Sequence, residues 1–266
     1  MSLKIKFHKG LPSKIFFLDK EIGSFWGIET SDRLSFFTLT EKGQNYNIIS
    51  DTTSKLSDNS YYRELEVKMG EGHWKLLITT KVYQNKFCMK TKLIALTNSI
   101  FQDFVHRYRF NQEAFNYGII NNNKILFTGS NIWYQYNIRS ASLYNQSFIS
   151  SIKTVDFTTN NYFTPEMYVR DEPSGYWIVH SRFIPKSPDL FWIKWDTRFG
   201  RIINIKGQLA KLFLSNKHIK KALWYRAEKV GGRPNIIALG LTKMKKGDEV
   251  ELHTECSFDF IGENYI

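Results

Sequence analysis

Apolar and polar residues alternate with a period of two along most of this chain, and many of the apolar positions are aromatic. In residues 176–184 one phase holds Trp177, Val179 and Phe183, and the other holds Tyr176, Ile178, His180 and Arg182. A period of two is that of a β-strand with two different faces, and repeated half-buried strands form antiparallel sheets. The alternation therefore predicts an all-β protein.

The length and the composition favour one large antiparallel two-sheet sandwich with at most one or two short helices. Sandwiches often exceed about 200 residues as single domains, and this chain of 266 residues has no linker rich in proline, glycine and serine. Apolar residues make up 42% of it, which is ample for a core. We therefore predict a single β-sandwich domain over residues 1–266.

Three segments depart from the strand pattern. The stretch 44–60 is rich in Asn, Ser, Thr and Asp and is predicted to be a loop or a weak hairpin. In 208–223 the apolar residues approach the i, i+3, i+4 spacing of a short helix. Residues 222–229 return to the strand pattern, so the predicted helix leads directly into another strand.

The charge of the chain is strongly basic, with 37 Lys and Arg against 25 Asp and Glu, a balance of 37 − 25 = +12. Such a balance favours polyanions, which include nucleic acid, an anionic membrane surface and an acidic polysaccharide. Cys88 and Cys256 lack metal-ligand spacing and are predicted to be free thiols. Known nucleotide-binding and hydrolase motifs are missing from the sequence, so we expect no cofactor and no metal.

The hydropathy profile indicates the cellular compartment in which we expect the protein. No run approaches the ~20 apolar residues of a membrane-spanning helix. The first residues are charged and lack both the apolar stretch and the cleavage site of a signal peptide. On this basis we expect a cytoplasmic protein with no transmembrane segment. The sequence does not predict an oligomeric state.

The strand at 103–110 is the first candidate for chemistry. In a regular strand, Arg107 and Arg109 share one face about 7 Å apart, where their guanidinium groups could hold carboxylate or sulfate groups. His106 lies among aromatic residues on the other face, as a proton-transfer group or as a core histidine. The arginines could equally cover a solvated face.

Three further strands add candidates. Residues 132–139 offer Tyr134 and Tyr136 on one phase, and 190–196 offer Trp192 and Lys194. Residues 176–184 place Tyr176, His180 and Arg182 on one face. Neighbouring aromatic and polar faces would form a groove for a chain of sugar rings. The alternative is that these strands simply cover one another.

The strands at 104–110, 132–139 and 176–196, and the ending 241–252 with its Lys-Gly-Asp turn, resemble the galactose-mutarotase-like supersandwich. That fold occurs in sugar epimerases and in domains of polysaccharide lyases and glycosidases. The resemblance covers about residues 60–260 and implies a supersandwich-like fold and a carbohydrate-linked domain. The family's catalytic histidine and late glutamate base are not matched residue by residue, so the resemblance assigns no catalytic residues.

The leading hypothesis is a carbohydrate-active or carbohydrate-binding protein acting on an acidic glycan. In lyase or epimerase chemistry at a uronate, Arg107, Arg109 or Arg182 would neutralise the carboxylate, with Tyr136, Trp192 and Lys194 as further contacts. His180, His106, Tyr134 or Tyr176 would move the proton. One alternative is a calycin-like β-barrel that binds or cyclises a small apolar molecule. Another is a basic aromatic sheet that binds nucleic acid.

Overall fold

Antiparallel strands make up almost all of the regular structure in a computed structural model of the chain. The structure describes residues 3–32, 36–39, 46–157, 163–216, 218, 229–231 and 236–261. In these residues the strands form two nine-stranded sheets and one four-stranded sheet. The predicted all-β class and the two-sheet sandwich are confirmed.

The first large sheet carries the candidate strands. Its spatial order is β1 (Leu3–His8), β2 (Leu11–Phe17), β3 (Lys20–Ser31), β10 (Asp103–Asn111), β17 (Tyr176–Pro185), β16 (Phe163–Glu172), β13 (Ile132–Tyr136) and β20 (Lys229–Gly231), with β4 (Phe36–Thr38) beside β3.

The second large sheet packs against the first. Its order is β12 (Asn123–Leu126), β11 (Tyr117–Ile120), β14 (Ser140–Tyr144), β15 (Phe148–Phe157), β22 (Glu249–Phe260), β8 (Lys86–Ala95), β7 (Gly72–Val82), β6 (Ser60–Met69) and β5 (Tyr46–Ser57). Within the described ranges each large sheet ends in two separate edge strands, which does not fit the closed-barrel alternative.

A small sheet has the order β19 (Ile202–Lys206), β18 (Leu190–Asp196), β21 (Ile236–Met244) and β9 (Ser99–Phe101). The helix α1 (Gly207–Ser215) packs on β18 and β19, and a short 3-10 helix spans Gln112–Ala114. The predicted helix at 208–223 is confirmed as far as residue 215, while 217 and 219–223 lie outside the described residues. Residues 222–228 of the predicted strand also lie outside them.

The main core lies between the two large sheets, and its residues come from both. Phe104, Tyr108 and Phe110 of β10 point into it and are fully buried. His106 joins them, with Nε2 2.8 Å from the Thr91 hydroxyl and Nδ1 2.7 Å from the Thr254 hydroxyl across the interface. The face assignment made from the alternation in 103–110 is confirmed, and the opposite face of β10 is left to carry its arginines.

The loop interpretation of 44–60 is wrong, and the hairpin alternative is right. Residues 46–57 form the twelve-residue strand β5, which pairs with β6 through a turn at Asp58 and Asn59. Nearly all of its side chains are exposed. An edge strand whose side chains are nearly all exposed has no buried face, so period-two alternation cannot reveal it.

Three glutamates of β22 form ion pairs with lysines of the neighbouring strand β8. Glu249, Glu251 and Glu255 lie 2.7–2.8 Å from lysine ammonium groups at 92, 90 and 86. Among the described residues, no group of three or more His, Cys, Asp or Glu could hold a metal ion. Cys88 and Cys256 are free thiols, as predicted.

None of the helices in the described residues is long and apolar enough to cross a membrane.

Candidate functional site

The face of the first large sheet that points away from the main core carries a continuous polar and aromatic cluster. We call this face the outer face. Alternation places the outward side chains of β10, β17 and β16 in register, with Arg107 opposite His180 and His180 opposite Tyr168. The outer-face cluster comprises Trp26, Glu29, Asp103, Arg107, Arg109, Trp133, Glu166, Tyr168, Arg170, Glu172, Tyr176, His180 and Arg182.

A buried ion triad anchors one end of the cluster. The Arg182 guanidinium contacts the carboxylate of Glu166 on β16, and its Nη1 lies 2.9 Å from Asp103 Oδ2 on β10. All three residues are at most 5% exposed. The hydroxyl of Ser31 also hydrogen-bonds Asp103. Because each charge is paired and hydrogen-bonded, the triad links the three strands β10, β16 and β17.

Arg107 forms the centre of the cluster. Its Nη1 lies 3.3 Å from Glu29 Oε2 and 2.5 Å from the Thr38 hydroxyl, while its Nε donates to His180 Nε2 at 3.2 Å. A guanidinium N–H can only donate, so His180 Nε2 accepts and the ring proton lies on Nδ1. His180 Nδ1 is buried and has no hydrogen-bond partner among the described residues.

Two groups at the centre have shifted pKa values. Burial, followed by the positive charges of Arg107, Arg170 and Arg182, lowers the pKa of His180 well below its ordinary value. Burial raises the pKa of the Glu29 carboxyl, and the charge of Arg107 offsets part of that rise. His180 is therefore a neutral donor through Nδ1. Glu29 is a carboxylate with increased basicity, suited to accepting a proton.

The other end of the cluster is partly exposed and lined by aromatic rings. The Arg109 guanidinium lies 3.5 Å from the Tyr176 ring centre and 4.9 Å from that of Trp26. Arg109 also lies 3.8 Å from Glu172, and its side chain keeps 27% exposure. Buried Arg109 Nε has no partner in the described residues. This rim is where a ligand can reach the face.

A second aromatic pair borders the same rim. The rings of Trp133 and Tyr168 are stacked with centroids 5.5 Å apart, and the Tyr168 hydroxyl lies 2.9 Å from His180 Nε2. Arg170, ion-paired with Glu172, sits 4.9 Å from the Trp133 ring. The stack thus connects the exposed rim with the buried centre.

A β-bulge places Trp26 in the cluster. Arg107 pairs with Gly27 and Tyr108 with Phe25, so Trp26 is the extra residue in β3. Gly27 has φ +115°, a backbone conformation that favours glycine. The Trp26 ring centre consequently lies 4.0 Å from the Arg107 guanidinium. Bulges often re-aim a side chain beside a functional site in this way.

Five of the ten residues proposed from the sequence meet in the outer-face cluster: Arg107, Arg109, Tyr176, His180 and Arg182. His106 lies instead in the main core, bonded to two threonines. Tyr134 and Tyr136 pack against that core from the other face of β13. Trp192 and Lys194 belong to the small sheet, where the Trp192 indole bonds Asn204. The proposed groove across all four strands is therefore not formed.

Eight members of the cluster were not proposed from the sequence: Trp26, Glu29, Asp103, Trp133, Glu166, Tyr168, Arg170 and Glu172. Gly27 beside an aromatic residue in a strand is a bulge signal that could have identified Trp26. The sequence around the acidic pair 171–172 is typical of a turn, and the two carboxylates have different roles in the structure. Asp171 accepts hydrogen bonds from Thr128 and Ser130, whereas Glu172 points to the outer-face rim.

A separate cavity of about 340 Å³ lies where the β1–β2 hairpin meets β5 and β6. Its lining includes Phe25, Tyr46 and Arg63. Arg63 makes a bidentate pair with Asp51 at 2.9 and 3.1 Å. Phe25 points to the core side of β3, so this cavity is distinct from the outer-face cluster.

The two buried histidines predict a steep loss of stability in acid. Burial, with a smaller contribution from His253, lowers the pKa of His106 to about 3, against about 6.5 in an unfolded chain. Below pH 6.5 the unfolded state therefore binds protons that the folded state does not bind, and stability falls as the pH is lowered. We expect His106 to reduce the free energy of unfolding by about 2 kcal/mol between pH 7 and pH 5, and His180, whose pKa is also lowered by burial, to act in the same direction.

Urea unfolding at the two pH values checks this expectation. His106→Gln should show a smaller loss between pH 7 and pH 5 than the parent chain, whatever its absolute stability. His8→Gln, at an exposed position of β1, is the matched control and should keep the parent loss. An identical pH dependence in all three proteins would contradict the assignment of a neutral buried His106.

Comparison with known structures identifies the fold. The predicted resemblance to the galactose-mutarotase-like supersandwich is confirmed at the level of the fold. The crystal structure of a galactose mutarotase related enzyme from Lactobacillus acidophilus matches with a TM-score of 0.53 at 10% identity, covering 98% of this chain and 95% of that one. A protein proposed to be an aldose 1-epimerase from Escherichia coli K12 matches with a TM-score of 0.52 at 7% identity, covering 97% and 96%.

Sequence comparisons add nothing to this result. No protein-family model matches the chain, and no curated protein matches it. The fold is thus shared with the two proteins along nearly their whole length, while function has to be argued from the residues of the site.

Proposed function

We propose that this chain binds a sugar at the exposed rim of its outer face. The observation that carries the proposal is the combination of Trp26 and Tyr176 rings with Arg109 and Glu172 at one partly exposed place. Aromatic faces pack against the apolar face of a sugar ring, and charged side chains bond its hydroxyl groups. The two structural neighbours, a mutarotase-related enzyme and a protein proposed to be an aldose epimerase, support the same class of ligand.

The buried part of the outer-face cluster holds the rim in place. Arg107 is fixed by Glu29, Thr38 and His180, and its guanidinium lies against the Trp26 ring. A ligand would therefore meet side chains whose positions are set before it binds. Such preorganisation reduces the entropy lost on binding.

The charge balance of the face favours a neutral sugar over the acidic glycan that the net charge suggests. Arg182 is paired with two carboxylates, Arg107 with Glu29, and Arg170 with Glu172. Arg109 has the longest of these contacts, at 3.8 Å, and is the residue placed to accept a uronate carboxylate. Lyase or epimerase chemistry at a uronate would depend on Arg109.

A panel of sugars tests the proposal. Calorimetric titration with glucose, galactose, glucuronate and galacturonate, at low and moderate salt, should show binding of neutral aldoses that persists as salt rises. A single-stranded oligonucleotide in the same series tests the nucleic-acid alternative, whose affinity would fall steeply with salt. If no sugar binds, or if only polyanions bind and salt abolishes that binding, the proposal is wrong.

Interconversion of sugar anomers is a second candidate function, favoured by the raised pKa of Glu29. Opening the ring of an aldose requires a base at the anomeric hydroxyl, and Glu29 is the carboxylate at the centre of the cluster. His180 is neutral and its Nε2 already accepts a hydrogen bond, so its remaining contribution is the Nδ1–H donor. Arg107 and Thr38 hold the Glu29 carboxylate in position.

Glu29→Gln separates binding from catalysis. If the chain accelerates anomer exchange, measured by NMR, this variant should lose about a hundredfold or more of that rate while still binding the sugar. Tyr176→Phe, which keeps the ring at the rim, is the matched control and should retain the rate. A parent chain that binds sugar without accelerating exchange would leave binding as the function and eliminate this second candidate.

A further inference from the structure

Exposed apolar side chains concentrate in one part of the molecule. We call residues 190–215, which comprise β18, β19 and α1, the hairpin–helix lobe. Of the 15 large hydrophobic residues that are exposed in the described part of the chain, seven fall between residues 195 and 213. Single exposed apolar residues are ordinary, but a contiguous set marks an interaction surface.

The tip of the β18–β19 hairpin presents a phenylalanine to solvent. Phe199 is 92% exposed. The turn that carries it is closed by backbone hydrogen bonds: the Thr197 N–H donates to the Arg201 carbonyl at 2.8 Å and the Gly200 N–H donates to the Thr197 carbonyl at 3.1 Å. Trp195 and Ile203, paired across the two strands, extend the apolar surface from the tip. The exposure of Phe199 is therefore built into a defined turn.

The helix α1 adds further exposed apolar residues to the lobe. Ala210 and Leu214 face inward and join a small core with β18 and β21. Leu209, Leu212 and Phe213 remain exposed, and residues three and four apart lie on one side of a helix. The helix thus has two apolar sides, of which only one is used by the fold.

The lobe is also basic, and its Lys and Arg residues form no ion pair within the described part of the chain. It contains five Lys and Arg, at 194, 198, 201, 206 and 211, against one acidic residue, Asp196, a balance of 5 − 1 = +4. None of the five makes an ion pair with the described residues, whereas lysines 86, 90 and 92 of β8 are each paired with a glutamate. Arg198 and Arg201 flank the exposed Phe199.

We propose that the hairpin–helix lobe docks on the surface of an anionic lipid bilayer. Apolar side chains that project beyond a ring of Lys and Arg match the layers of such a surface, where an apolar interior lies beneath negatively charged headgroups. Phe199 and the exposed side of α1 enter the acyl boundary, while the flanking basic residues meet the headgroups. This inference is independent of the proposed sugar site.

Vesicle co-sedimentation of the full chain tests the inference. Vesicles of phosphatidylcholine mixed with phosphatidylglycerol should bind the chain, and vesicles of phosphatidylcholine alone should not. Phe199→Ser and Leu212→Ser should each weaken binding about tenfold, since each removes one buried apolar side chain. Leu126→Ser, at an exposed leucine of β12, is the matched control and should bind like the parent.

A charge series adds a second readout. Arg198→Gln and Arg201→Gln should each weaken binding about fivefold, while Lys20→Gln, at an exposed lysine of β3, should not. The proposal fails if the chain binds neither vesicle, if it binds both equally, or if Phe199→Ser binds as well as the parent chain. It also fails if the chain forms dimers that Phe199→Ser disrupts and no vesicle binding is seen, because the lobe would then be covered by a second copy.

Discussion

Replacing Arg182 with methionine is expected to lower the free energy of unfolding by about 3–5 kcal/mol. The guanidinium is the shared partner of Asp103 and Glu166, and all three residues are buried. Its removal leaves two carboxylates close together without a counter-charge in a site closed to water. The cost is mainly that of burying unpaired charge. Urea unfolding at pH 7 measures it.

A triple variant separates this cause from a simple loss of packing. Adding Asp103→Asn and Glu166→Gln to Arg182→Met removes the unpaired charges and should restore a large part of the lost stability. Arg201→Met, at an exposed arginine of the turn between β18 and β19, should change stability by no more than about 0.5 kcal/mol. A full loss in the triple variant would show that the ion triad is not the reason that Arg182 matters.

Replacing Trp26 with alanine is expected to weaken sugar binding about tenfold or more, as truncation of a central aromatic contact commonly does. The indole is placed by a bulge and lies against both Arg107 and Arg109, so its loss removes a stacking surface for the sugar and one contact of each guanidinium group. Trp26→Phe should recover part of the affinity. Titration calorimetry with the best sugar of the panel gives the measurement.

Trp192→Ala is the control for this prediction. Trp192 is a partly buried tryptophan of the small sheet, away from the outer-face cluster, and its removal should leave sugar affinity unchanged. If Trp192→Ala abolished binding and Trp26→Ala did not, the sugar site would lie on the small sheet, as the sequence-based assignment of Trp192 and Lys194 suggested.

The strand faces were predictable wherever one face is buried. In 103–110 and 176–184 the alternation correctly separated core residues such as Phe104 and Trp177 from outward residues such as Arg107 and His180. The edge strand β5 was not predictable, because nearly all of its side chains are exposed and it presents no buried face of alternate residues. A period of two in hydropathy reflects the burial of one face of a strand, so a strand with no buried face does not show it.

Five of the thirteen residues of the outer-face cluster followed from the sequence because they lie on the adjacent strands β10 and β17 in simple alternation. The remainder depends on contacts between distant segments. Glu29 and Trp26 reach Arg107 only because β3 pairs with β10 across a bulge at Gly27. The order of strands in a sheet decides which strand faces lie side by side, and a single sequence does not reveal that order. The sequence therefore could not show that Tyr134 and Tyr136 lie outside the site.

A crystal structure of the chain soaked with the best sugar of the panel tests the central claim most directly. We expect the sugar at the outer-face rim, with its ring against Trp26 or Tyr176 and its hydroxyl groups bonded to Arg109 and Glu172. A sugar bound instead beside Trp192, or in the 340 Å³ cavity next to Arg63, with the rim empty, would contradict it.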